Sequence, residues 1–175
     1  TFKEPSQKGR RNVRKNREDK IPASIEVIKD YRQSFAYPLM LIKNHTVRMA
    51  RKVDPECIIA RRLKRLPTIL DKLTRPTLDG NSRNSICLTR MHDIGGCRVI
   101  VETVDDAYQV LENIKNSKST HKVHRVYDYI QDPKQSGYRG IHVVFSCFQD
   151  GPEDSPWKDY KIELQIKTKL QHIWS

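Results

Sequence analysis

The chain has 175 residues, enough for one domain with a real core and an irregular arm beside it. It is 37% apolar and 31% charged, with a net charge of +12, a balance that favours polyanionic ligands such as nucleotide phosphates or nucleic acid. No apolar run reaches the length of a membrane span, no signal-peptide pattern opens the chain, and the four cysteines lack any C-x-x-C spacing; membrane, disulfide-framework and zinc classes are disfavoured, and a cytoplasmic location is expected.

Residues 1–20 carry eight Lys/Arg against three acids and almost nothing apolar, so a flexible basic arm is expected there. Residues 21–56 read as N-terminal helices that pack on a core. Ser24 is a candidate N-cap for a helix whose apolar residues include Ile25, Ile28 and Phe35. Pro38 suits the first turn of a second helix bearing Leu39, Ile42 and Met49. The stretch Cys57 to Lys64 starts as a short strand and ends in a basic cluster. A helix from about Thr68 to Arg75 presents Lys72, and 76–90 reads as loop.

Gly96 to Glu102 is a β-branched run typical of a buried strand. Thr103-x-x-Asp106 resembles a capping box, followed by a helix with Ala107, Tyr108, Leu111 and Ile114 on one face. Strands are expected at about 122–130, 140–148 and 160–168, and Leu170 to Trp174 reads as the opening of a helix that the chain cuts short. The sum is an α/β (α+β) unit over 57–175, with a mixed, mostly antiparallel sheet of about five strands and helices covering one side.

Four segments carry candidate chemistry. Pro133 to His142 is a glycine-punctuated basic loop with Tyr138 near its tip, a combination suited to phosphates and a flat base. Alternation in Lys161 to Lys167 puts Glu163 and its polar neighbours opposite Ile162, Leu164 and Ile166. Arg62 and Lys64 share a strand face, and Asp93 precedes Gly95, Gly96 and the buried strand. Taken singly, the first reads better as an ordinary amphipathic strand and Arg62 with Lys64 better as a surface basic patch, while Asp93 reads equally well as a turn-capping aspartate. Together, Asp93 and Glu163 make a carboxylate pair sufficient for Mg²⁺ when phosphate oxygens complete the shell. His121 and His124 fall on opposite strand faces and read as non-metal. His142 is the functional histidine by position, while His172 suits the site or helix packing equally.

The motifs Arg62-Leu-Lys64 with Lys72, Met91-His-Asp93-Ile-Gly-Gly-Cys-Arg98, Tyr129 to His142 and Glu163-Leu-Gln165-Ile-Lys167-Thr168 occur in this order. From about Arg61 to Trp174 they resemble the RelA/SpoT family of nucleotide pyrophosphokinases, and the helix around Tyr31 to Leu39 is similar to one subgroup of small synthetases. The resemblance implies a nucleotidyltransferase-like synthetase fold and transfer of the β,γ-pyrophosphate of ATP to a ribose 3′-hydroxyl. It implies ATP binding by Arg62, Lys64, Lys72 and Arg98, the two arginines sandwiching adenine. It gives Mg²⁺ to Asp93 and Glu163, with Glu163 also taking the hydroxyl proton. Acceptor binding falls to Lys134, Tyr138, His142, Gln165 and Lys167.

Three positions depart from the commonest family pattern: Ser136 replaces asparagine, Thr68 stands where serine is frequent, and Lys167 replaces arginine. Residues 1–60 offer no His-Asp pair of the family's hydrolase half, so product hydrolysis is not expected. The acceptor expected first is GDP or GTP, giving the alarmone (p)ppGpp. The alternatives are a toxin that pyrophosphorylates the 3′ end of tRNA and a catalytically silent RNA-binding module. A homo-oligomer and an antitoxin partner stay open.

Overall fold

The structure is a computed structural model that describes residues 21–74 and 87–174. The basic arm expected over 1–20, and the part of the expected loop from 76 to 86, lie outside the described residues. Among the described residues two helices come first, α1 (Ile21–Gln33) and α2 (Ala36–Ala50). Pro38 sits in the first turn of α2, where its missing N–H leaves no helical bond unmade. Ser24 does not cap α1: the helix begins three residues earlier and Ser24 is buried within it. Pro22 in the first turn is the start signal there instead.

The strands are β1 (Ile58–Leu63), β2 (Gly95–Val101), β3 (Lys122–Asp128), β4 (Ile141–Ser146) and β5 (Lys161–Thr168). Helix α3 (Leu66–Thr74) follows β1, α4 (Val104–Lys115) follows β2, and the short α5 (Lys169–Ile173) follows β5. Both reciprocal bonds of a capping box start α4, with Thr103 as N-cap and Asp106 three residues on. Thr168 and Gln171 form the same device at α5.

One five-stranded sheet results, in the order β1-β2-β5-β4-β3. The β1–β2, β4–β5 and β3–β4 pairs are antiparallel, and β2–β5 alone is parallel. The predicted mixed, mostly antiparallel sheet is therefore present. Register divides its side chains by period two. One face carries Cys97, Val99, Ile162, Leu164, Ile166, Val143 and Phe145, all buried in the main core. Leu39 and Ile42 of α2, with Val110, Leu111 and Ile114 of α4, belong to the same core and cover that face. The other face is polar. Its rows run from Arg62 through Gly96 to Glu163 and Val144, and from Arg98 through Gln165 to His142 and Tyr127.

Candidate active site

The polar face is the one turned away from α2 and α4: each core strand drives its apolar residues toward those two helices, and the alternate residues face the other side, where α3 brings Lys72 and α5 brings His172. Two adjoining hollows lie there. The larger, a cleft of about 580 Å³, is lined by residues that include Lys72, Asp93, Lys134, His142, Glu163 and Gln165. The smaller, about 210 Å³, is lined by Arg62, Gly96, Arg98 and Gln165 with their strand neighbours. Gln165 borders both. Sequence reasoning thus picked residues that the fold brings to one surface, although Arg62 and Arg98 occupy a separate compartment from the carboxylates.

Asp93 is held by two lysines, Lys64 Nζ at 2.6 Å and Lys72 Nζ at 2.8 Å, both donating to Oδ2. Arg32 of α1 donates to the Lys64 carbonyl at 2.7 Å, and the Lys64 N–H donates to Ile94 O at 2.8 Å, fixing the end of β1 beside Asp93. Burial alone would raise the Asp93 carboxyl, but the two lysine hydrogen bonds and charges outweigh it and hold the pKa below the usual range.

Glu163 accepts from His142 Nδ1 at 2.5 Å and from Gln165 Nε2 at 3.1 Å, both at Oε1. Here too burial pushes the pKa up, the His142 hydrogen bond and charge together with Gln165 pull it further down, and Asp93 opposes weakly; the net result is a lowered pKa. The electrostatic influence of Asp93 on Glu163 shows that the carboxylates sense each other. The chain of contacts continues in both directions. His142 Nε2 meets the Tyr138 hydroxyl at 2.6 Å, Gln165 Oε1 accepts from Arg98 at 3.2 Å, and Arg98 reaches His172 Nδ1 at 3.3 Å.

The donor set fits a hard divalent cation. Asp93 uses only Oδ2 and Glu163 only Oε1 in the hydrogen bonds just described, so each carboxylate keeps a second oxygen, and both line the same cleft. Magnesium needs few protein oxygens when phosphates and water supply the rest.

The Tyr138 loop is built by local backbone bonds. Gly137 N–H donates to Lys134 O at 2.8 Å, and Tyr129 N–H to Gly140 O at 3.0 Å. Gly137 has φ 77° and Gly140 φ 147°, conformations that disfavour any Cβ. A Cβ at Gly140 would also stand 3.1 Å from Lys167 Cγ. That contact reveals what alternation alone hid: Lys167 lies on the polar face yet is 2% exposed, roofed by the Tyr138 loop. Its ammonium lies 4.3 Å from the Tyr138 ring centroid. Burial lowers its pKa to about 8, Arg98 and Lys134 lower it too, and Glu163 opposes them.

Sequence reasoning passed over Tyr127 and gave Tyr129 no role beyond opening a motif. Both line the larger cleft, and their rings are parallel with centroids 6.0 Å apart. Tyr129 meets Tyr138 edge-on at 5.9 Å, Lys134 Nζ sits 4.3 Å over Tyr129, and Arg125 lies 5.7 Å over Tyr127. The signal was present as Tyr127-x-Tyr129 leading into the Tyr138 loop. His121 packs edge-on against Phe148, while His124 meets edge-on the ring of His92, itself part of the larger cleft's lining. Among the described residues no group of three or more His, Cys, Asp or Glu could hold a metal ion by itself, and no helix is long and apolar enough to cross a membrane.

Comparison with known proteins places this surface in context. The GTP pyrophosphokinase YwaC of Bacillus subtilis is 30% identical over 114 residues, which cover 65% of this chain and 52% of that protein. The chain therefore spans about half the length of this curated relative. The structure of small alarmone synthetase 1 from Bacillus subtilis bound to its product pppGpp superposes with a TM-score of 0.62 at 24% identity, covering 83% of this chain and 76% of that one. A GTP pyrophosphokinase family protein of Streptococcus pneumoniae gives 0.64 at 25% identity, covering 83% and 71%. The family model for the region found in RelA/SpoT proteins matches residues 61–175, the stretch that supplies all five strands' site residues from Arg62 onward; the chain belongs to the RelA/SpoT family.

Proposed function

We propose that this protein transfers the β,γ-pyrophosphate of ATP to the ribose 3′-hydroxyl of GDP or GTP, making (p)ppGpp. The single observation that carries the reading is the pair Asp93 and Glu163 in the tyrosine-lined cleft, each with a second carboxylate oxygen outside the hydrogen bonds described above, next to the arginine-lined hollow. The relative YwaC is a GTP pyrophosphokinase, which supports the reaction class.

Each group has a task in this reading. Arg62 and Arg98 stack on the donor adenine, as planar guanidinium groups do. Lys64 and Lys72 pass from Asp93 to the donor phosphates, and Asp93 and Glu163 hold Mg²⁺. The ion supplies charge neutralisation and alignment for in-line displacement. Glu163 takes the 3′-hydroxyl proton. Tyr138 stacks on the acceptor base, Lys134 and Lys167 attract its phosphates, and His142 and Gln165 orient Glu163 and the ribose. The unit spans 57–175 and is buttressed by α1 and α2.

One observation favours a second acceptor. Tyr127 and Tyr129 hold parallel rings 6.0 Å apart, Tyr138 stands edge-on to Tyr129, and Arg125 and Lys134 lie over the first two. Such platforms suit successive bases of a single strand, so the 3′ end of tRNA is the alternative acceptor. A silent RNA-binding module is disfavoured, because two carboxylates in a phosphate site repel the ligand unless a cation intervenes. The test is transfer of label from γ-labelled ATP with Mg²⁺ to GDP, GTP or deacylated tRNA. Label on a guanine nucleotide supports the first reading, label on tRNA alone the second, and no transfer to any refutes both.

A further inference from the structure

On the helix-covered side of the sheet, remote from the carboxylates, two more hollows meet at His45, Arg48 and Lys118. One, of about 590 Å³, is bordered by Asn44 and Arg48 of α2 and by the segment Lys118 to His121 ahead of β3. The other, about 360 Å³, adds Lys52, Asn113 and Asn116. Among the described residues, no aspartate or glutamate lines either one. Among the described residues, Arg48, Lys52 and Lys118 make no ion pair.

We infer that this is a second ligand site, specific for a phosphorylated small molecule of mononucleotide size. The charge is the first argument. Helices α2 and α4 both end here, each contributing about half a negative charge through its last carbonyls. Three cations exceed that offset and leave the hollow positive. The second argument is the mixture of donors. Amides of Asn44 and Asn116, with the hydroxyl of Thr120, border the cations, and among the described residues no carboxylate lines the hollows to compete with an anionic ligand for them. Size is the third, since a hollow of about 590 Å³ matches a nucleotide-sized ligand better than an extended polymer.

The site is also mechanically linked to the sheet. His45 is 4% exposed, its Nε2 lies 3.2 Å from Ser117 Oγ, and its ring meets Phe145 edge-on at 6.2 Å. Phe145 is on β4, three residues after His142. A ligand that tightens α2 against residues 117–121 therefore presses on the strand that carries His142.

Amide NMR on the whole protein, carrying Lys64→Ala and Lys72→Ala to weaken phosphate binding at the polar face, tests this. Inorganic tripolyphosphate is the probe. Saturable shifts at Asn44, Arg48 and 117–121, with affinity falling at least about tenfold in Arg48→Glu/Lys118→Glu, are expected. The proposal is overturned if the shifts do not saturate, if the double reversal leaves affinity unchanged, or if single-stranded RNA shifts these amides while tripolyphosphate and ATP do not. Because the readout is binding at these amides, it stands or falls independently of the transfer reaction.

Discussion

His142 Nδ1 lies 2.5 Å from Glu163 Oε1, on neighbouring strands of the sheet, and this contact sets the charge of the candidate base. Burial pushes the Glu163 pKa up, and the His142 contact, with Gln165, outweighs it and holds the carboxyl below the ordinary carboxylate range. Glu163→Gln retains the shape and the hydrogen bonds but removes both the base and a metal oxygen. Transfer is expected to fall by at least about 100-fold with ATP affinity little changed. Single-turnover kinetics beside equilibrium ATP binding separate the two; appreciable residual turnover rules out the assigned role.

Tyr138 touches Lys167, Lys134 and His142, so two substitutions distinguish its ring from its hydroxyl. Tyr138→Ala is expected to raise the acceptor KM by roughly tenfold or more, the range of a lost base stack, and to leave the ATP KM unchanged. Tyr138→Phe keeps the ring and loses only the bond to His142. Its acceptor KM stays near wild type while kcat falls through a less firmly held imidazole. Equal KM values for ATP in all three proteins are part of the expectation.

Lys167 costs the fold stability. The unfolded chain holds its proton to about 10.5 and the folded one gives it up near 8, so between these values the unfolded state binds more protons and stability rises with pH. At neutral pH the penalty is on the order of 3 kcal/mol, from 1.4 kcal/mol per pKa unit. Lys167→Met is expected to raise the midpoint of urea unfolding at pH 7 and to flatten the rise between pH 8 and 10. Acceptor binding should weaken in the same variant, as one of the acceptor's cations is gone.

His45 acts in the acid range. Burial, with Arg48 and His121 adding to it, lowers its pKa to about 4, against 6.5 when unfolded. Its contribution is complete above pH 6.5 and is lost as pH falls toward 4, because the unfolded imidazole takes up a proton that the folded one refuses. His45→Gln should unfold with a shallower pH dependence across that window than wild type, measured by thermal melts at constant ionic strength. An unchanged slope contradicts the assignment.

How much was legible in the sequence differs between particular residues. Period-two alternation placed Glu163 and Gln165 opposite Ile162 and Leu164, and the capping box at Thr103 fixed the start of α4. The same alternation made Lys167 look solvent-facing. Its burial comes from the Tyr138 loop, some thirty residues earlier in the chain, and no local pattern encodes such a roof. The neighbours of β5 were equally invisible: β2 lies beside it in parallel although their sequences are separated by α4, β3 and β4. Asp93 was readable as a carboxylate near a strand end, but its grip by Lys64 and Lys72 depends on how β1 and α3 dock.

The strand order has a consequence for synthesis on the ribosome. β5 is the last of the five strands to be made, yet it lies in the middle of the sheet, between β2 and β4. Before it emerges, the nascent chain can form only two separate hairpin-like pairs, β1 with β2 and β3 with β4. Glu163 and Gln165 arrive on the joining strand itself. The carboxylate pair and the link between the two hollows therefore come into being in one late event, and a half-made chain holds Arg62, Arg98 and Lys134 before the strand that joins their hollows exists.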